Sequence, residues 1–365
     1  VSATGVTAST PMLATASAAV TSSQPSASQP TTAVQRTAPT GLSGHLVIES
    51  TWGGTFYLYD LATGALRPLT GGFDPALSPD GSQVVFTRDG GDGGVYLINT
   101  DGSNEHRIYA GSSGLRSPMW SPDGQWIVFS EPSGSYKCYA LGTNDTCASA
   151  KQIFYGKPAA KTPAAKAARD KVLQQYPREA RPNFNLSLID RNGGNYRNLA
   201  ALDSAQDPAW SSAGIVYAGP AGLQQTAALT GSQSSLVTAS NDVKAAVTAG
   251  KYMAPTWQLS GGRIVFQGNQ NDHWELFSVN ADGSGLTALT HPVTTLVAQL
   301  PSNVAPAWSP DGQHIVYLSN QGDDNSAGAW RVWVMNADGG NQHPLPINLP
   351  ITYTFVGERM VNWGR

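Results

Sequence analysis

Six histidines are the residues of this sequence that could most readily bind a metal or act as general acids and bases. They stand at His45, His106, His273, His291, His314 and His343. No two of them have the i, i+2 or i, i+4 spacing that places two side chains on one face of a strand or helix. The Gly-x-Ser-x-Gly motif of a serine nucleophile is also absent. The sequence therefore predicts no catalytic residue, cofactor or metal site, although folding could bring separated histidines together.

The two cysteines, Cys138 and Cys147, lie nine positions apart. Paired cysteines this close in sequence are typical of oxidising compartments. We therefore predict a disulfide between them, with two unrelated buried thiols as the alternative. Asn144 and Asn185 each begin an Asn-x-Ser/Thr sequon and are candidate glycosylation sites, although such short motifs often arise by chance.

Residues 151–181 carry eight Lys/Arg and two acidic residues, in a chain whose formal net charge is −3. Thr162 and Pro163 form a favourable N-cap and first-turn pair, and the Ala-rich run Ala164–Gln175 predicts a three-turn helix. A helix this short is marginal alone, so we expect it to rest on the ring or on a partner. A solvated surface is the alternative. The candidate docking residues are Lys157, Lys161, Lys166, Arg169, Lys171 and Arg178.

A repeated phrase organises most of the chain. "PMWSPDGQWIVFSEP" begins at Pro118, and "PAWSPDGQHIVYLSN" begins at Pro306. Weaker copies begin at Asp74, Asp207 and Ala254, and the final "RMVNWGR" resembles the start of the phrase. We use the Trp of the phrase as a marker. The equivalent positions are Leu77, Trp120, Trp210, Trp257, Trp308 and Trp363. The steps between markers are 43, 90, 47, 51 and 55 residues, and four of the five match the length of a β-propeller blade.

Each repeat predicts four antiparallel strands. Ser-Pro-Asp-Gly after the marker is a turn, because Pro fixes φ and Gly accepts a positive φ. A β-branched and aromatic run follows, then a variable loop, a third run, and an Asp-Gly turn into a fourth. Radial repetition of such units makes a β-propeller. The blade period favours packing between blades, rather than ligand stacking, as the role of the Trp markers.

The words "PxWSPDGxxIVF" and "VxNADGSxxxxLT" resemble the PD-type propeller repeats of the TolB-like family. The similarity covers roughly Gly44 to Arg365. It is strong at Pro118–Phe129, Trp274–Thr290 and Pro306–Leu345, and it is degenerate at Asp207–Ala239. This resemblance implies the fold and says little about function.

The two ends of the repeat region complement each other. Residues 44–70 contain three strand-like runs, whereas the final "ERMVNWGR" contains one. Pairing them completes a blade without exposed edges, and five internal units then make six blades. No marker or Asp-Gly turn lies between Pro132 and Asn185. We therefore interpret the 90-residue step as one blade, in the third unit, with an insertion at about residues 133–184; a hidden seventh blade is the alternative.

Residues 1–40 consist mainly of Ser, Thr, Ala and Pro, and they precede the propeller domain at residues 41–365. Such a segment does not fold alone and resembles the tether that follows an export signal. The chain begins at Val1, which fits removal of a leader. The sequence contains no run of eighteen apolar residues, so it predicts no transmembrane helix. We therefore expect an exported protein, periplasmic or extracellular at the cell surface, with an extended tail that contacts another chain.

These features predict an all-β, non-enzymatic scaffold for protein–protein interaction, or a subunit of an extracellular or cell-envelope assembly. The net charge of −3 gives no sign of a nucleic-acid partner. The resemblance to TolB implies binding of protein segments, but forty Ser/Thr-rich residues cannot supply the α/β domain that precedes the TolB ring. The alternative is a carbohydrate-binding or polysaccharide-processing propeller, which histidines clustered with Arg or Gln around the channel would favour. A peptidase-type propeller without its catalytic domain is a third class.

Overall fold

The structure is a computed structural model that describes residues 42–365, apart from short gaps. The gaps are residues 112, 141–146, 149, 155–156, 200, 202–203, 220–221, 227–232, 239–251, 271–272, 295 and 356–358. The predictions for the tail, residues 1–40, and for glycosylation at Asn144 therefore lie outside the described residues.

The strands form six antiparallel sheets, which we number as blades in chain order. Blade 1 contains β1 (His45–Glu49), β2 (Thr55–Asp60), β3 (Leu66–Gly71) and the last strand of the chain, β25 (Val361–Gly364). Blade 2 contains β4 (Phe73–Leu77), β5 (Gln83–Arg88), β6 (Gly94–Asn99) and β7 (His106–Ala110). Blade 3 contains β8 (Arg116–Trp120), β9 (Trp126–Ala140), β10 (Cys147–Ala148), β11 (Arg178–Asp190) and β12 (Arg197–Leu199).

The remaining blades each have four strands. Blade 4 contains β13 (Gln206–Ser211), β14 (Gly214–Gly219), β15 (Gly222–Thr226) and β16 (Gln233–Thr238). Blade 5 contains β17 (Tyr252–Trp257), β18 (Arg263–Gln270), β19 (His273–Asn280) and β20 (Thr287–Ala288). Blade 6 contains β21 (Asn303–Trp308), β22 (His314–Gln321), β23 (Ala327–Asn336) and β24 (His343–Pro344).

The ring closes as the sequence predicts. Strand β25 pairs antiparallel with β1, with Leu46 opposite Trp363 and Val47 opposite Asn362. The innermost strands contact one another in the order β25, β4, β8, β13, β17, β21 and back to β25. The predictions of six blades and of closure by the two chain ends are therefore confirmed.

Within each blade, successive strands run in opposite directions. The turns between strands therefore fall alternately on two distinct faces of the ring. We call the face where the innermost strands begin the upper face, and the face where they end the lower face. The Ser-Pro-Asp-Gly turns and the Asp-Gly hairpins lie on the lower face, because they follow the first and third strands. The loops between second and third strands, and the connections between blades, lie on the upper face.

Burial explains the repeated marker. Trp120, Trp257, Trp308 and Trp363 are at most 7% exposed, and Trp210 is half-buried. The indole Nε1 of Trp120 donates to the backbone oxygen of Ala76 in the preceding blade, at 3.1 Å. Aromatic side chains bury more apolar surface than most residues, so a marker in each blade stabilises every seam of the ring. The prediction that these residues pack between blades is confirmed.

The Ser-Pro-Asp-Gly turn depends on its side chains as well as on its backbone. In blade 2, the Ser78 hydroxyl donates to Asp80 Oδ1 at 2.6 Å, and the Ser82 N–H donates to the same oxygen. These hydrogen bonds lower the pKa of Asp80 to about 2, and the bond from the Ser78 hydroxyl has the largest effect. Gly81 has a φ of +73°, and a Cβ there would lie 2.0 Å from the backbone oxygen of Arg365, so only glycine fits beside the closing strand.

The predicted insertion is largely an extension of blade 3. Strands β9 and β11 remain paired from Trp126↔Asp190 out to Tyr139↔Arg178. Beyond them lie β10, helix α1 (Ala150–Ile153) and helix α2 (Pro163–Leu173). We call residues 133–184 the arm, and it projects from the upper face because it joins second and third strands.

Helix α2 confirms the prediction of a capped helix within the arm. The Thr162 hydroxyl accepts a hydrogen bond from the Ala165 N–H, and Pro163 occupies the first turn. No residue of α2 is buried, so the described ring does not cover this helix. In the part of the chain that the structure describes, no helix is both long and apolar enough to cross a membrane.

Candidate binding site at the central channel

Five residues with left-handed backbone line the start of the channel. They are Asp74, Ser117, Asp207, Ala254 and Ala305, with φ between +47° and +53°. Each precedes a proline and stands three residues before the marker of its blade. Non-glycine residues rarely adopt this conformation, so the surrounding contacts must hold it. A β-bulge or register shift accompanies these positions in all five blades.

Hydrogen bonds from these residues join successive blades. The N–H of Asp74 donates to Glu49 Oε2 at 3.0 Å, and the N–H of Ser117 donates to Asp74 Oδ2 at 2.9 Å. The Ser117 hydroxyl donates to Asp207 Oδ1 at 2.9 Å, and the N–H of Ala254 donates to Asp207 Oδ2 at 3.0 Å. In the same way, the N–H of Ala305 donates to Gln267 Oε1 at 2.7 Å. Five of the six seams are therefore bridged by buried polar side chains.

Arg359 crosses the channel and completes what we call the plug, consisting of Asp74, Asp207 and Arg359. Its backbone N–H donates to Asp74 Oδ1 at 3.0 Å. Its guanidinium Nη2 donates to the backbone oxygens of Asp207 and Pro255, at 2.7 and 2.6 Å. The three plug side chains are at most 8% exposed. Burial raises the pKa of Asp74 to about 6, and it lowers the pKa of Arg359.

An exposed aromatic cluster lies on the upper face beside blades 1 to 3. Trp52, in the loop between β1 and β2, is 39% exposed and makes an edge-to-face contact with Phe73 at 5.6 Å. The Arg116 guanidinium lies over both rings, 5.3 Å from Trp52 and 4.3 Å from Phe73. Asp89 accepts two hydrogen bonds from this guanidinium, at 2.7 and 3.2 Å. The ion pair and the ring contacts therefore fix the geometry of the cluster.

A second aromatic cluster comes from the connection between β24 and β25. Phe355 is 40% exposed, has a φ of +62°, and contacts Tyr353 at 5.2 Å and Trp330 at 5.6 Å. A parallel β-bridge between Thr51 and Thr352 joins this connection to the loop that carries Trp52. Both clusters therefore share one side of the upper face. We call the four residues Trp52, Phe73, Tyr353 and Phe355 the aromatic rim.

The six histidines stand on different strands and loops of the ring. His106 and His343 begin outer strands, His45 and His314 begin strands at the lower face, and His291 is exposed. His273 alone is buried, with Nε2 3.2 Å from Glu275 Oε1. Among the described residues, no group of three His, Cys, Asp or Glu side chains could hold a metal ion. The histidine cluster that would favour a carbohydrate-processing propeller is thus not found in the described ranges.

The predicted docking residues fall on the arm. Lys157, Lys161, Lys166, Lys171 and Arg178 are exposed, whereas Arg169 is half-buried. The Arg169 guanidinium donates to the backbone oxygen of Pro158 and lies 4.6 Å from the Phe154 ring, and Arg178 lies 5.5 Å from the Tyr139 ring. The structure therefore places all six on one projecting element, with the four lysines free of any ion pair among the described residues.

The cysteines and the second sequon also lie in blade 3. Cys138 is buried in β9, and the backbone of Cys147 in β10 pairs with Ala140, two residues farther along β9. The Cys147 side chain is outside the described residues, so the disulfide stays a prediction. Asn185 is half-buried in β11, opposite Glu131, and the Ser187 hydroxyl of its sequon donates to Glu131 Oε2 at 2.5 Å. Glycosylation at Asn185 also stays a prediction.

The marker residues themselves meet at the lower end of the channel. They line a cavity of about 90 Å³ whose wall includes one marker from every blade. These markers are Leu77, Trp120, Trp210, Trp257, Trp308 and Trp363. The blade period predicted a packing role for these residues, and their repetition at the ends of the innermost strands also places them together at one end of the ring.

The fold and the channel define the class of this protein: a closed six-bladed β-propeller with a plugged channel, whose accessible surfaces are its two faces. The chain belongs to the PD40 family, the TolB beta propeller domain, because the model of that family matches residues 53–244. This match confirms the resemblance inferred from the repeats. No protein of curated function matches the chain in sequence.

Solved structures show similarity in fold. TolB from Acinetobacter baumannii superposes with a TM-score of 0.58 at 15% identity, over 90% of this chain and 68% of that chain. Hydrazine synthase from Kuenenia stuttgartiensis superposes with a TM-score of 0.54 at 15% identity, over 86% of this chain and 48% of that one. Identities this low establish a shared fold and no shared activity.

Proposed function

We propose that this protein is an exported, non-enzymatic scaffold that binds a protein partner on its upper face. The observation that carries the proposal is the aromatic rim above a channel closed by the plug. Trp52 and Phe355 each expose about two fifths of their surface. The Arg116 guanidinium packs over Trp52, and Tyr353 packs edge-to-face against Phe355, so both rings are held in place. Rigid, partly exposed aromatic residues beside an arginine are typical of the energetic centre of a protein interface.

The arm supplies a second part of the same surface. It projects from the upper face, and its lysines add positive charge to a chain that is negative overall. Such an asymmetry steers an acidic partner toward the aromatic rim and contributes mainly to the rate of association. The partner that fits is therefore a protein with an acidic surface and an exposed apolar segment. The N-terminal tail, residues 1–40, is proposed as a further contact with that partner or with another copy.

The test of this function starts with photo-crosslinking in the cells that make the protein. Benzoylphenylalanine at position 52 or 355 should crosslink to one defined protein, and the same probe at position 286, an exposed site on the lower face, should not. The purified partner should then bind Trp52→Ala at least tenfold more weakly than the wild type, since rim aromatics of this kind contribute about 2 kcal/mol or more. Leu286→Ala should bind normally. Equal affinity of all three proteins would contradict the proposal.

The charge of the arm has its own test, with labelled poly-glutamate as the probe. Lys166→Glu combined with Lys171→Glu should weaken binding about tenfold at low salt, and the difference should shrink as salt is raised. The matched control is Arg67→Glu combined with Arg107→Glu, which makes the same change in net charge at exposed sites on the outer strands of blades 1 and 2. If both pairs weaken binding equally, only the net charge matters and the arm is not a docking element.

Export predicts that Cys138 and Cys147 form a disulfide within the arm. Mass spectrometry of the protein purified without reductant should find no free thiol and a loss of two mass units. Reduction should then increase proteolysis between β9 and β11, because closing so short a loop stabilises it by roughly 2–3 kcal/mol. Cleavage within the ring should stay unchanged. Two alkylatable thiols in the native exported protein would contradict both the bond and this argument for export.

A further inference from the structure

The lower-face cavity adjoins the start of the described chain. Leu42, Ser43 and Gly44 line an outer groove of about 350 Å³ together with Ser309 and Asp311 of blade 6. The groove and the cavity share Ser309, Pro310 and Trp363 as wall residues. The two are therefore neighbouring parts of one depression on the lower face.

The first described residues already follow this depression. Leu42 packs against the core cluster that contains Trp363, and the Ser43 backbone oxygen accepts a hydrogen bond from Trp363 Nε1 at 2.9 Å. The direction of the chain is set by this bond and by the entry into β1 at His45. The described chain thus begins beside a cavity walled by indoles.

The sequence just before Leu42 suits the cavity. Thr37–Gly41 reads Thr-Ala-Pro-Thr-Gly, carries no charge and contains one proline. A proline ring is apolar, packs well on indole faces and brings no N–H that would need a partner. The cavity volume of about 90 Å³ is several times the roughly 10–15 Å³ that one water needs on the same measure, so a group larger than a water fits.

We propose that the lower-face cavity is a proline-binding site and that its occupant is Pro39 of the same chain. Pro39 lies three residues before Leu42, so an extended backbone can carry it at most about 10 Å. The groove that Leu42 lines shares three wall residues with the cavity. The short connection gives a high effective concentration, so even a weak contact is populated. The site would anchor the tail beneath the ring and fix the point from which residues 1–36 depart.

The test uses the full-length protein and the indole N–H signals of its ten tryptophans in nitrogen-15 NMR. Single Trp→Phe variants assign the signals. Pro39→Gly should shift the Trp308 and Trp363 signals by more than a linewidth and leave those of Trp52 and Trp330, on the upper face, in place. Pro30→Gly is the matched control and should move none of the four. The shifts of the wild type should not change on tenfold dilution.

Two outcomes would overturn the proposal. If Pro39→Gly leaves the Trp308 and Trp363 signals unchanged, Pro39 does not occupy the cavity. If those signals move in the wild type on dilution, the occupant comes from a second copy rather than from the same chain. Leu259→Lys gives an independent check, because Leu259 lines the mouth of the cavity and is 38% exposed, so the change does not disturb the core. The shifts that it causes in the Trp308 and Trp363 signals should differ between the wild type and the Pro39→Gly background; identical shifts in both backgrounds would show that Pro39 is not in the cavity.

Discussion

Replacing Arg359 by methionine should lower the free energy of unfolding by about 2–6 kcal/mol, because two buried acceptors lose their donor and each such loss costs about 1–3 kcal/mol. The loss has two physical causes. The carboxylates of Asp74 and Asp207 remain buried without their cation. The backbone oxygens of Asp207 and Pro255 also lose the donor that now satisfies them, and a buried acceptor without a partner is costly.

Denaturant unfolding of purified proteins measures this effect. Arg331→Met is the matched control, because Arg331 also donates to a backbone oxygen but lies at the surface, and its replacement should cost less than about 1 kcal/mol. Combining Arg359→Met with Asp74→Asn should cost less than the sum of the two single changes, because the second removes a carboxylate that the first left without its cation. Strict additivity, or a cost no larger than that of Arg331→Met, would show that the plug does not hold the ring together.

Asp74 should make the stability of the ring depend on pH in the direction opposite to an ordinary surface carboxylate. Burial raises the pKa of Asp74 from 3.8 to about 6, so the folded state binds the proton more tightly than the unfolded state does. Stability from this residue is therefore greatest below pH 4 and falls as the pH rises to 6. The total fall is roughly 3 kcal/mol, since one pKa unit corresponds to about 1.4 kcal/mol.

The wild type and Asp74→Asn should be compared at pH 4 and pH 7. Other carboxylates titrate in both proteins and cancel in the difference, including Asp80, whose lowered pKa acts with the opposite sign. The wild type should lose about 2–2.5 kcal/mol relative to the variant between the two pH values, since part of the total fall has already occurred at pH 4. The same comparison with Asp80→Asn should change in the other direction and by much less, because the folded pKa of about 2 and the unfolded pKa of 3.8 both lie below pH 4. A difference for Asp74→Asn that does not vary with pH would mean that its carboxyl group titrates normally.

The blade architecture could be predicted because its signals are local and repeated. A Trp or Leu marker recurs in every blade, and the Ser-Pro-Asp-Gly turn and the Asp-Gly hairpin each recur in three of them. The spacing of the markers, together with the complementary chain ends, predicted six blades. The closing strand was predictable for a related reason, since one end of the repeat region lacked the strand that the other end supplied. Thr162 and Pro163 gave the start of α2 from capping chemistry alone.

The plug was missed because its members do not share one residue type. Arg359 stands in the non-repeated connection before β25, whereas Asp74 and Asp207 stand in the innermost strands of blades 2 and 4. Burial of a charged residue depends on partners more than a hundred positions away, which no local pattern reveals. One signal was present: in five blades the residue three positions before the marker precedes a proline, and all five share the left-handed backbone. Comparing the residue types at that aligned position would have identified Asp74 and Asp207 as the two ionisable residues there.

The aromatic rim shows a different limit. Trp52 and Phe355 are separated by 303 positions, and the bridge between Thr51 and Thr352 exists only because the two chain ends meet in blade 1. Neither residue falls on the repeat, so periodicity carried no information about them. Their exposure, rather than their type, distinguishes them from the many buried aromatic residues of the ring.

The arm shows where this ring tolerates change. Some fifty residues have been accommodated between β9 and β11 while the register of that pair, from Leu186↔Ser130 to Asp190↔Trp126, continues without a shift inside the blade. Second and third strands do not face the channel, so lengthening the hairpin between them leaves the seams and the plug undisturbed. The loops between second and third strands are much shorter in blades 2 and 6, at Gly90–Asp92 and Gly322–Ser326. They could be lengthened in the same way. A ring of this design can therefore acquire new recognition elements by grafting at these hairpins, so its specificity can evolve independently of its stability.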